Sequence, residues 1–228
     1  MKIISLTKEK ILIAVYLLII IIGLTATIRN ETVLTSNISM PLSKKIVLID
    51  AGHGGVDPGK VIGNIEEKTI NLDIAMMLQS YLEQADATVF MTRIDDSRLA
   101  HNKKSDMYSR KLIANTSNAD IFVSIHQNSF PDSNVQGAQV FYFNSSDNSR
   151  RLAECIQKEI KAFVNYKNKY EPKENSNYYV LKQTSMPAVI VECGFLSSPN
   201  EKNKLINPDY QDRMAWAIYM GIVDYFRE

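Results

Sequence analysis

The chain alternates between short apolar runs and longer segments in which apolar residues recur at helical spacing. Short apolar runs bounded by glycine or polar residues are typical of buried strands, and an apolar stripe at i, i+4 and i+7 is typical of an amphipathic helix. Alternating strands and helices predict an α/β domain with a largely parallel sheet between helical layers. We predict strands at residues 46–50, 87–92, 121–125, 139–143, 178–182 and 188–191, and helices at residues 67–83, 105–117, 148–165 and 210–226.

The first apolar segment has a different pattern. Residues 11–28 are uncharged and almost wholly apolar, with lysines before them and Arg29 after them. This combination is typical of an export signal or a single membrane anchor, rather than of a buried core helix, with the rest of the chain outside the membrane. A poor match to a cleavage site at residues 25–27 favours an anchor that is not cleaved. We therefore divide the chain into a signal peptide or anchor (1–29), a polar linker (30–44) and one folded domain (45–228).

Composition narrows the class of protein and the residues available for chemistry. The 228 residues carry a formal net charge of +1, which argues against nucleic acid as a partner. Two cysteines, Cys155 and Cys193, are too few for a disulfide framework, and we interpret Cys193 as a small core thiol rather than a nucleophile. The histidines are His53, His101 and His126, so a histidine-based metal site must use most of them.

Three side chains with metal-binding or acid–base chemistry stand at the ends of predicted strands. His53 follows the first strand within a Gly-His-Gly-Gly turn, His126 follows the third strand, and Glu192 follows the last. In open α/β sheets the ligand site lies beyond the carboxyl ends of the strands. We therefore expect these three side chains to lie together. For Glu192, a buried salt bridge to Arg93 or Arg110 is the alternative interpretation.

The residue types favour a zinc site. Two histidines and a carboxylate are a common catalytic zinc set that leaves a fourth position for water. His53 and His126 would supply the imidazoles, and Glu67, at the start of the helix after a glycine-rich loop, is the preferred carboxylate. Its neighbour Glu66 competes for this role but lies in the loop. Apolar neighbours should raise the pKa of Glu192, which suits a general acid and base.

Further polar residues lie close to these positions in the sequence. Asp50 could hold the second ring nitrogen of His53, because histidines that bind metals usually donate their other N–H to a carboxylate or carbonyl. We interpret Arg93 and Asn128 as contacts of the substrate or supports of the metal ligands.

An ordered series of short motifs runs through the domain. Asp-Ala-Gly-His-Gly-Gly stands at residues 50–55, Glu-Lys at 67–68, Ser-Ile-His-Gln-Asn at 124–128 and Val-Glu-Cys-Gly-Phe-Leu at 191–196. In this order the motifs resemble the zinc-dependent N-acetylmuramoyl-L-alanine amidases of the amidase-3 type. The resemblance runs from about Lys45 to the C-terminus. It implies a mixed, mostly parallel six-stranded sheet between helices, and it makes residues 45–228 a catalytic domain.

The resemblance also implies the reaction and the role of each site residue. His53, Glu67 and His126 match the zinc ligands of that family, and Glu192 matches its catalytic acid and base. The implied activity is that of a hydrolase acting outside the membrane. It cleaves the amide between the lactyl group of N-acetylmuramic acid and L-alanine in peptidoglycan.

A finer assignment follows from what surrounds these motifs. The stretch at residues 127–136 is too short for a helix over the site, and we see no wall-binding repeat. One domain behind one hydrophobic segment resembles the spore-cortex amidases of sporulating bacteria, which act in muramic-δ-lactam formation for germination. Two alternatives stay open. One is a wall-associated protein of this fold that is inactive or poor in metal until an activating partner binds, and the other is a zinc peptidase that cuts stem peptides.

Overall fold

The structure, a computed structural model, describes residues 7–30, with side chains for residues 7–22, and residues 40–227. It divides into two compact units, residues 1–39 and 40–228. The first unit contains helix α1 (Lys8–Asn30). Among the described residues, no helix is both long enough and apolar enough to cross a membrane. The predicted anchor stays a prediction, and residues 31–39 of the predicted linker lie outside the described residues.

A six-stranded sheet forms the centre of the second unit. Its order is β4-β1-β5-β8-β6-β7, and a separate two-stranded hairpin pairs β2 with β3. Neighbouring strands of the large sheet are parallel, except that β6 is antiparallel to β8. The predicted mixed, mostly parallel six-stranded sheet is therefore confirmed. The strands are β1 (Ile46–Ala51), β2 (Val61–Ile62), β3 (Ile65–Glu66), β4 (Thr88–Met91), β5 (Ile121–Asn128), β6 (Gln139–Tyr142), β7 (Lys173–Glu174) and β8 (Ala188–Phe195).

Helices cover both faces of this sheet. The larger core lies between one face and α2, α4 and α7, and residues such as Val47 and Ile49 of β1 point into it. The smaller core lies on the other face, where Leu48 and Phe122 meet residues of α3 and α5. Alternate residues of β1 thus enter opposite cores, as the period of a strand requires. The helices are α2 (Glu67–Gln84), α3 (Lys103–Thr116), α4 (Asp147–Phe163), α5 (Tyr179–Gln183), α6 (Pro199–Leu205) and α7 (Pro208–Arg227).

The structure differs from the sequence-based elements in four places, one of which is the hairpin of β2 and β3 within the glycine-rich loop, which was not predicted. The predicted strand at 178–182 is wrong, because this segment forms the short helix α5; a short apolar run does not distinguish a buried strand from a buried helix turn. The sixth strand is instead β7, within a predicted loop, and both of its residues are charged and exposed, as is common at a sheet edge. Helix α6 was not predicted; it has Pro199 in its first turn but too few apolar residues for a visible stripe.

Candidate active site

The carboxyl ends of three central strands bring the predicted strand-end side chains together. His126 and Glu192 are register partners on β5 and β8, and β1 lies on the other side of β5. His53 follows β1 with a left-handed backbone (φ 63°), which turns the chain sharply at the edge of the sheet. The rings of His53 and His126 are 5.1 Å apart and nearly perpendicular.

His53, Glu67 and His126 form a cluster with the geometry of a metal site. Oε1 of Glu67 lies 3.3 Å from Nε2 of His53 and 3.1 Å from Nδ1 of His126. All three donor atoms lie within 4.8 Å of one another. Ligand bonds of about 2.1 Å in a tetrahedron separate neighbouring ligand atoms by roughly 3.4 Å. The donor atoms and their spacing therefore fit zinc.

The start of α2 holds Glu67 in this position. Its Oε2 accepts the backbone N–H of Lys60 at 2.8 Å, and its Oε1 accepts the backbone N–H of Gln127 at 3.0 Å. The carboxylate is thus tied to the glycine-rich loop and to β5 at once. Its neighbour Glu66 points elsewhere, with a carboxylate oxygen 3.3 Å from Nζ of Lys68 and a side chain that is 42% exposed. Of the two glutamates considered from sequence, only Glu67 reaches the histidines.

The electrostatics of the cluster favour the ionised form of Glu67, which is the form that binds a metal. Burial opposes the charge of Glu67, but hydrogen bonds from His126 and His53 hold its pKa well below the usual range. Burial also opposes a charge on His53, yet its contacts with Glu67 and Asp57 raise its pKa. Since a metal binds only the deprotonated imidazole, protonation of His53 competes with metal binding at this cluster.

The residue that holds the second ring nitrogen of His53 is Asp57, and the prediction of Asp50 for this role is wrong. Oδ2 of Asp57 lies 3.1 Å from Nδ1 of His53. Asp50 lines the same cavity as His53 and His126, but its carboxylate is an acceptor for the hydroxyls of Thr92 and Ser124 and for the guanidinium of Arg110. Asp57 could have been proposed from its spacing, four residues after His53 in a tight loop.

Two buried arginines support the backbone of the site. Nη2 of Arg110 donates to the carbonyl of His53 at 2.8 Å, which fixes the left-handed turn. Arg93, which is 3% exposed, donates to the carbonyls of Ala51 and Gly52. Arg93 therefore supports the loop that carries the ligands, and it is too buried to contact a substrate.

Asn128 lies further along β5 than His126 and has a local role. Its side-chain oxygen accepts the backbone N–H of Ser129 at 2.8 Å, and its own carbonyl accepts the backbone N–H of Leu196. These contacts close the end of the β5–β8 pair.

Glu192 lies beside the cluster in a buried and nearly donor-free environment. Its side chain is 7% exposed, and within the described part of the chain its Oε2 has no hydrogen-bond partner. The hydroxyl of Tyr178 approaches Oε1 at 3.5 Å. Burial raises the pKa of Glu192 to about 7. The alternative salt bridge is not formed, because Arg110 pairs with Asp50 and Asp106 and Arg93 binds backbone carbonyls.

A cavity of about 270 Å³ opens beside these groups. His53, His126 and Glu192 line it from the strand ends, Met107 lines it from α3, and Tyr178 lines it just before α5. Tyr178 is held by an edge-to-face contact with Phe141, with ring centres 5.5 Å apart. The cavity therefore brings two of the three clustered metal-binding side chains, His53 and His126, together with the carboxyl of Glu192 and the phenol of Tyr178.

Comparison with known proteins identifies the family of this chain. The family model for N-acetylmuramoyl-L-alanine amidase matches residues 47–224. The germination-specific N-acetylmuramoyl-L-alanine amidase of Bacillus subtilis is 36% identical over 198 residues, which are 83% of each protein. The CwlD amidase of Clostridioides difficile, solved in complex with the GerS lipoprotein, is 40% identical with a TM-score of 0.78, over 81% of this chain and 99% of that one. An N-acetylmuramoyl-L-alanine amidase of Clostridium difficile 630 is 35% identical with a TM-score of 0.74, over 82% of this chain and 98% of that one. The chain therefore belongs to the N-acetylmuramoyl-L-alanine amidase family, as its motif series predicted.

Proposed function

We propose that this amidase uses a zinc ion, held by His53, Glu67 and His126, to cleave the amide between N-acetylmuramic acid and L-alanine in peptidoglycan. The observation that carries the proposal is the convergence of two imidazole nitrogens and one carboxylate within 4.8 Å, beside the buried Glu192. When bound there, zinc would polarise the amide carbonyl and acidify water.

The residues around the cluster have distinct tasks. Asp57 accepts a hydrogen bond from Nδ1 of His53 and so leaves Nε2 free to act as a ligand. Arg110 fixes the backbone carbonyl of the same residue. The N–H of Gln127 and the histidine rings hold Glu67 in its ionised form. The ligands are thus oriented before metal or substrate arrives.

Glu192 moves the proton. In its ionised form it accepts a proton from water as the water oxygen bonds to the lactyl carbonyl carbon. It then gives this proton to the alanine nitrogen as the carbon–nitrogen bond breaks, which leaves a carboxylic acid on the sugar and a free amine on the peptide. A pKa of about 7 allows both tasks near neutral pH.

The test is a matched pair of glutamate variants. We expect Glu192→Gln to retain stoichiometric zinc while turnover of purified peptidoglycan falls roughly 10²- to 10⁴-fold. Glu66→Gln is the control, because this neighbouring glutamate points away from the cluster. Digestion by Glu192→Gln at the parental rate would remove Glu192 from the mechanism.

Mass spectrometry of the products shows whether L-alanine N-termini appear, and fragments cut within the stem peptide would instead indicate the zinc peptidase.

We further infer a role in maturation of the spore cortex, where such an amidase acts in muramic-δ-lactam formation. The likeness to the germination-specific amidase and to CwlD supports it. Muropeptide analysis of spores that lack this protein tests the inference. We expect muramic-δ-lactam to disappear from the cortex, and its persistence at the normal level would contradict the role.

Export and control by a partner complete the proposal. Exposed apolar side chains along residues 11–22 of α1 support a signal or anchor that places the enzyme outside the membrane.

The solved complex of CwlD with a lipoprotein supports the second candidate function, a protein that holds little metal until a partner binds. Zinc analysis of the protein purified alone separates the cases. Stoichiometric zinc with activity indicates an autonomous enzyme, and metal that appears only with a partner indicates control.

A further inference from the structure

A second groove continues from the catalytic cavity along α3. It has a volume of about 840 Å³. Lys103, Met107 and Tyr179 line both the catalytic cavity and this groove. The shared lining makes one path, which runs from Glu192 outward between α3 and α5. We call its outer part the α3–α5 groove.

The α3–α5 groove combines apolar walls with uncommitted positive charge. Met107, Tyr108 and Tyr179 supply the apolar surface, and Lys103 and Lys104 supply two ammonium groups. No carboxylate lines the groove. Within the described part of the chain, neither lysine has a carboxylate at ion-pair distance, whereas Lys68 and Lys158 are both paired. The nearby carboxylate of Asp57 is already bound to His53.

The positive charge of the groove lysines favours the part of the substrate that carries a negative charge. Two arms leave the scissile amide, a glycan strand of N-acetylated sugars and a stem peptide. The sugars carry no charge, but the second residue of the stem is a D-glutamate whose α-carboxyl is free in some peptidoglycans and amidated in others. An extended residue spans about 3.5 Å. The second residue of the stem is therefore only one residue length beyond the scissile amide, and Lys103 lines the path both inside the cavity and in the groove beyond it.

Resting on the proposed function, we propose that the α3–α5 groove binds the stem peptide and that Lys103 and Lys104 select stems with a free D-glutamate carboxyl. Met107 and Tyr179 pack against the peptide, and the lysines pair with its carboxylate. An exposed ion pair of this kind contributes modestly, so we expect a preference of roughly two- to fivefold in kcat/KM for the acid over the amide. The preference should shrink as salt rises, because both charges lie near solvent.

Two disaccharide–peptide substrates test the proposal, identical except that the second stem residue is D-glutamate in one and its amide in the other. We measure kcat/KM of the intact protein on both at low salt. The ratio of acid to amide should fall toward one in Lys103→Gln/Lys104→Gln. The matched control is Lys169→Gln/Lys204→Gln, which removes the same net charge from exposed lysines outside the groove and should keep the parental ratio.

The outcomes distinguish this inference from the proposed activity. A parental preference that the groove variant loses and the control keeps supports selection by the groove lysines. Equal cleavage of both substrates by the parental protein, or a preference that survives in the groove variant, overturns the inference and leaves the amidase activity standing. Cleavage of neither substrate by the protein loaded with stoichiometric zinc overturns the proposed activity and the inference with it.

Discussion

At the residue scale, the surroundings shift the pKa values of two carboxyl groups of one site in opposite directions. Glu67 accepts hydrogen bonds from the backbone and from two histidines, which hold its pKa well below the usual range. Glu192 lies equally deep but meets only the hydroxyl of Tyr178, so burial raises its pKa to about 7. This difference in pKa assigns the role of metal ligand to Glu67 and the role of proton transfer to Glu192.

The raised pKa of Glu192 predicts how stability depends on pH. The unfolded carboxyl titrates near 4.5 and the folded one near 7. Between these values the carboxyl of Glu192 is protonated in the folded chain and ionised in the unfolded chain. Its contribution to the free energy of unfolding is therefore full below pH 4.5 and is lost as pH rises through 7. Relative to Glu192→Gln, the metal-free parental protein should lose about 3 kcal/mol of unfolding free energy between pH 4 and pH 9. Urea unfolding across this range measures the difference, with the exposed Glu66→Gln as control, and a difference that does not vary with pH would contradict it.

The contact between Asp57 and His53 predicts a loss of metal affinity. Asp57→Asn replaces the charged acceptor at Nδ1 of His53 by a neutral amide, so the ring is held less firmly with Nε2 toward the metal. Removal of such a partner typically weakens metal binding roughly 10- to 100-fold. Competition with a zinc chelator measures the affinity. Asp95→Asn removes the same charge from an exposed position close by, and an equal loss in both variants would contradict a specific role for Asp57.

At the element scale, the loop between β1 and α2 is packed so tightly against the ligands that it requires glycine. A Cβ at Gly52 would stand 2.3 Å from the ring of His126, and one at Gly59 would stand 2.5 Å from Oε2 of Glu67. The close approach brings the loop, α2 and β5 to one point. The glycines therefore set where the ligands lie, although none of them contributes a ligand.

This packing predicts different effects for two glycine substitutions in the same loop. Gly52→Ala should displace the ring of His126 and reduce zinc stoichiometry and turnover together. Gly63→Ala meets no atom within 4 Å, but its backbone has φ +63°. It should therefore cost about 1 kcal/mol of stability and leave zinc content unchanged. Metal analysis and thermal unfolding of both variants test the pair, and full zinc content in Gly52→Ala would contradict the proposed role of the close approach.

The same elements show what could be predicted from the sequence. Apolar runs locate the central strands, and the carboxyl ends of β1, β5 and β8 bring His53, His126 and Glu192 together as expected. The role of Asp50 could not be predicted, because the residues that bind its carboxylate, Thr92, Ser124 and Arg110, come from distant parts of the chain. The strand β7 was missed because two charged edge residues leave no apolar pattern.

The contributions of Tyr178 and Arg110 depend on tertiary contacts that sequence spacing alone does not reveal. Tyr178 reaches Glu192 from the segment before α5, and Arg110 reaches the carbonyl of His53 from α3. These contacts join the smaller core to the site on the opposite side from α2. Sequence patterns therefore identify the ligands, and the structure identifies the groups that orient them.

At the scale of the whole molecule, the catalytic unit begins earlier than the sequence suggested. The polar composition up to residue 44 favoured a linker, but Leu42 is fully buried in the larger core. The hydroxyl of Ser43 donates to Asp86 at 2.7 Å, and the backbone N–H of Lys45 bonds to the carbonyl of Leu42 at 3.0 Å. The turn before β1 is thus part of the folded unit.

This boundary predicts the stability of shortened chains. A chain that begins at Met40 retains Leu42 in the core, whereas a chain that begins at Lys45 leaves a cavity there. Loss of a buried leucine side chain costs roughly 2–5 kcal/mol, so the shorter chain should unfold at clearly lower urea concentration while the longer one keeps the activity of the catalytic unit. Leu42→Ala in the longer chain is the matched variant, since it removes the side chain and keeps the turn. If both chains unfold at the same urea concentration, Leu42 does not anchor the turn to the core, and the unit begins at Lys45.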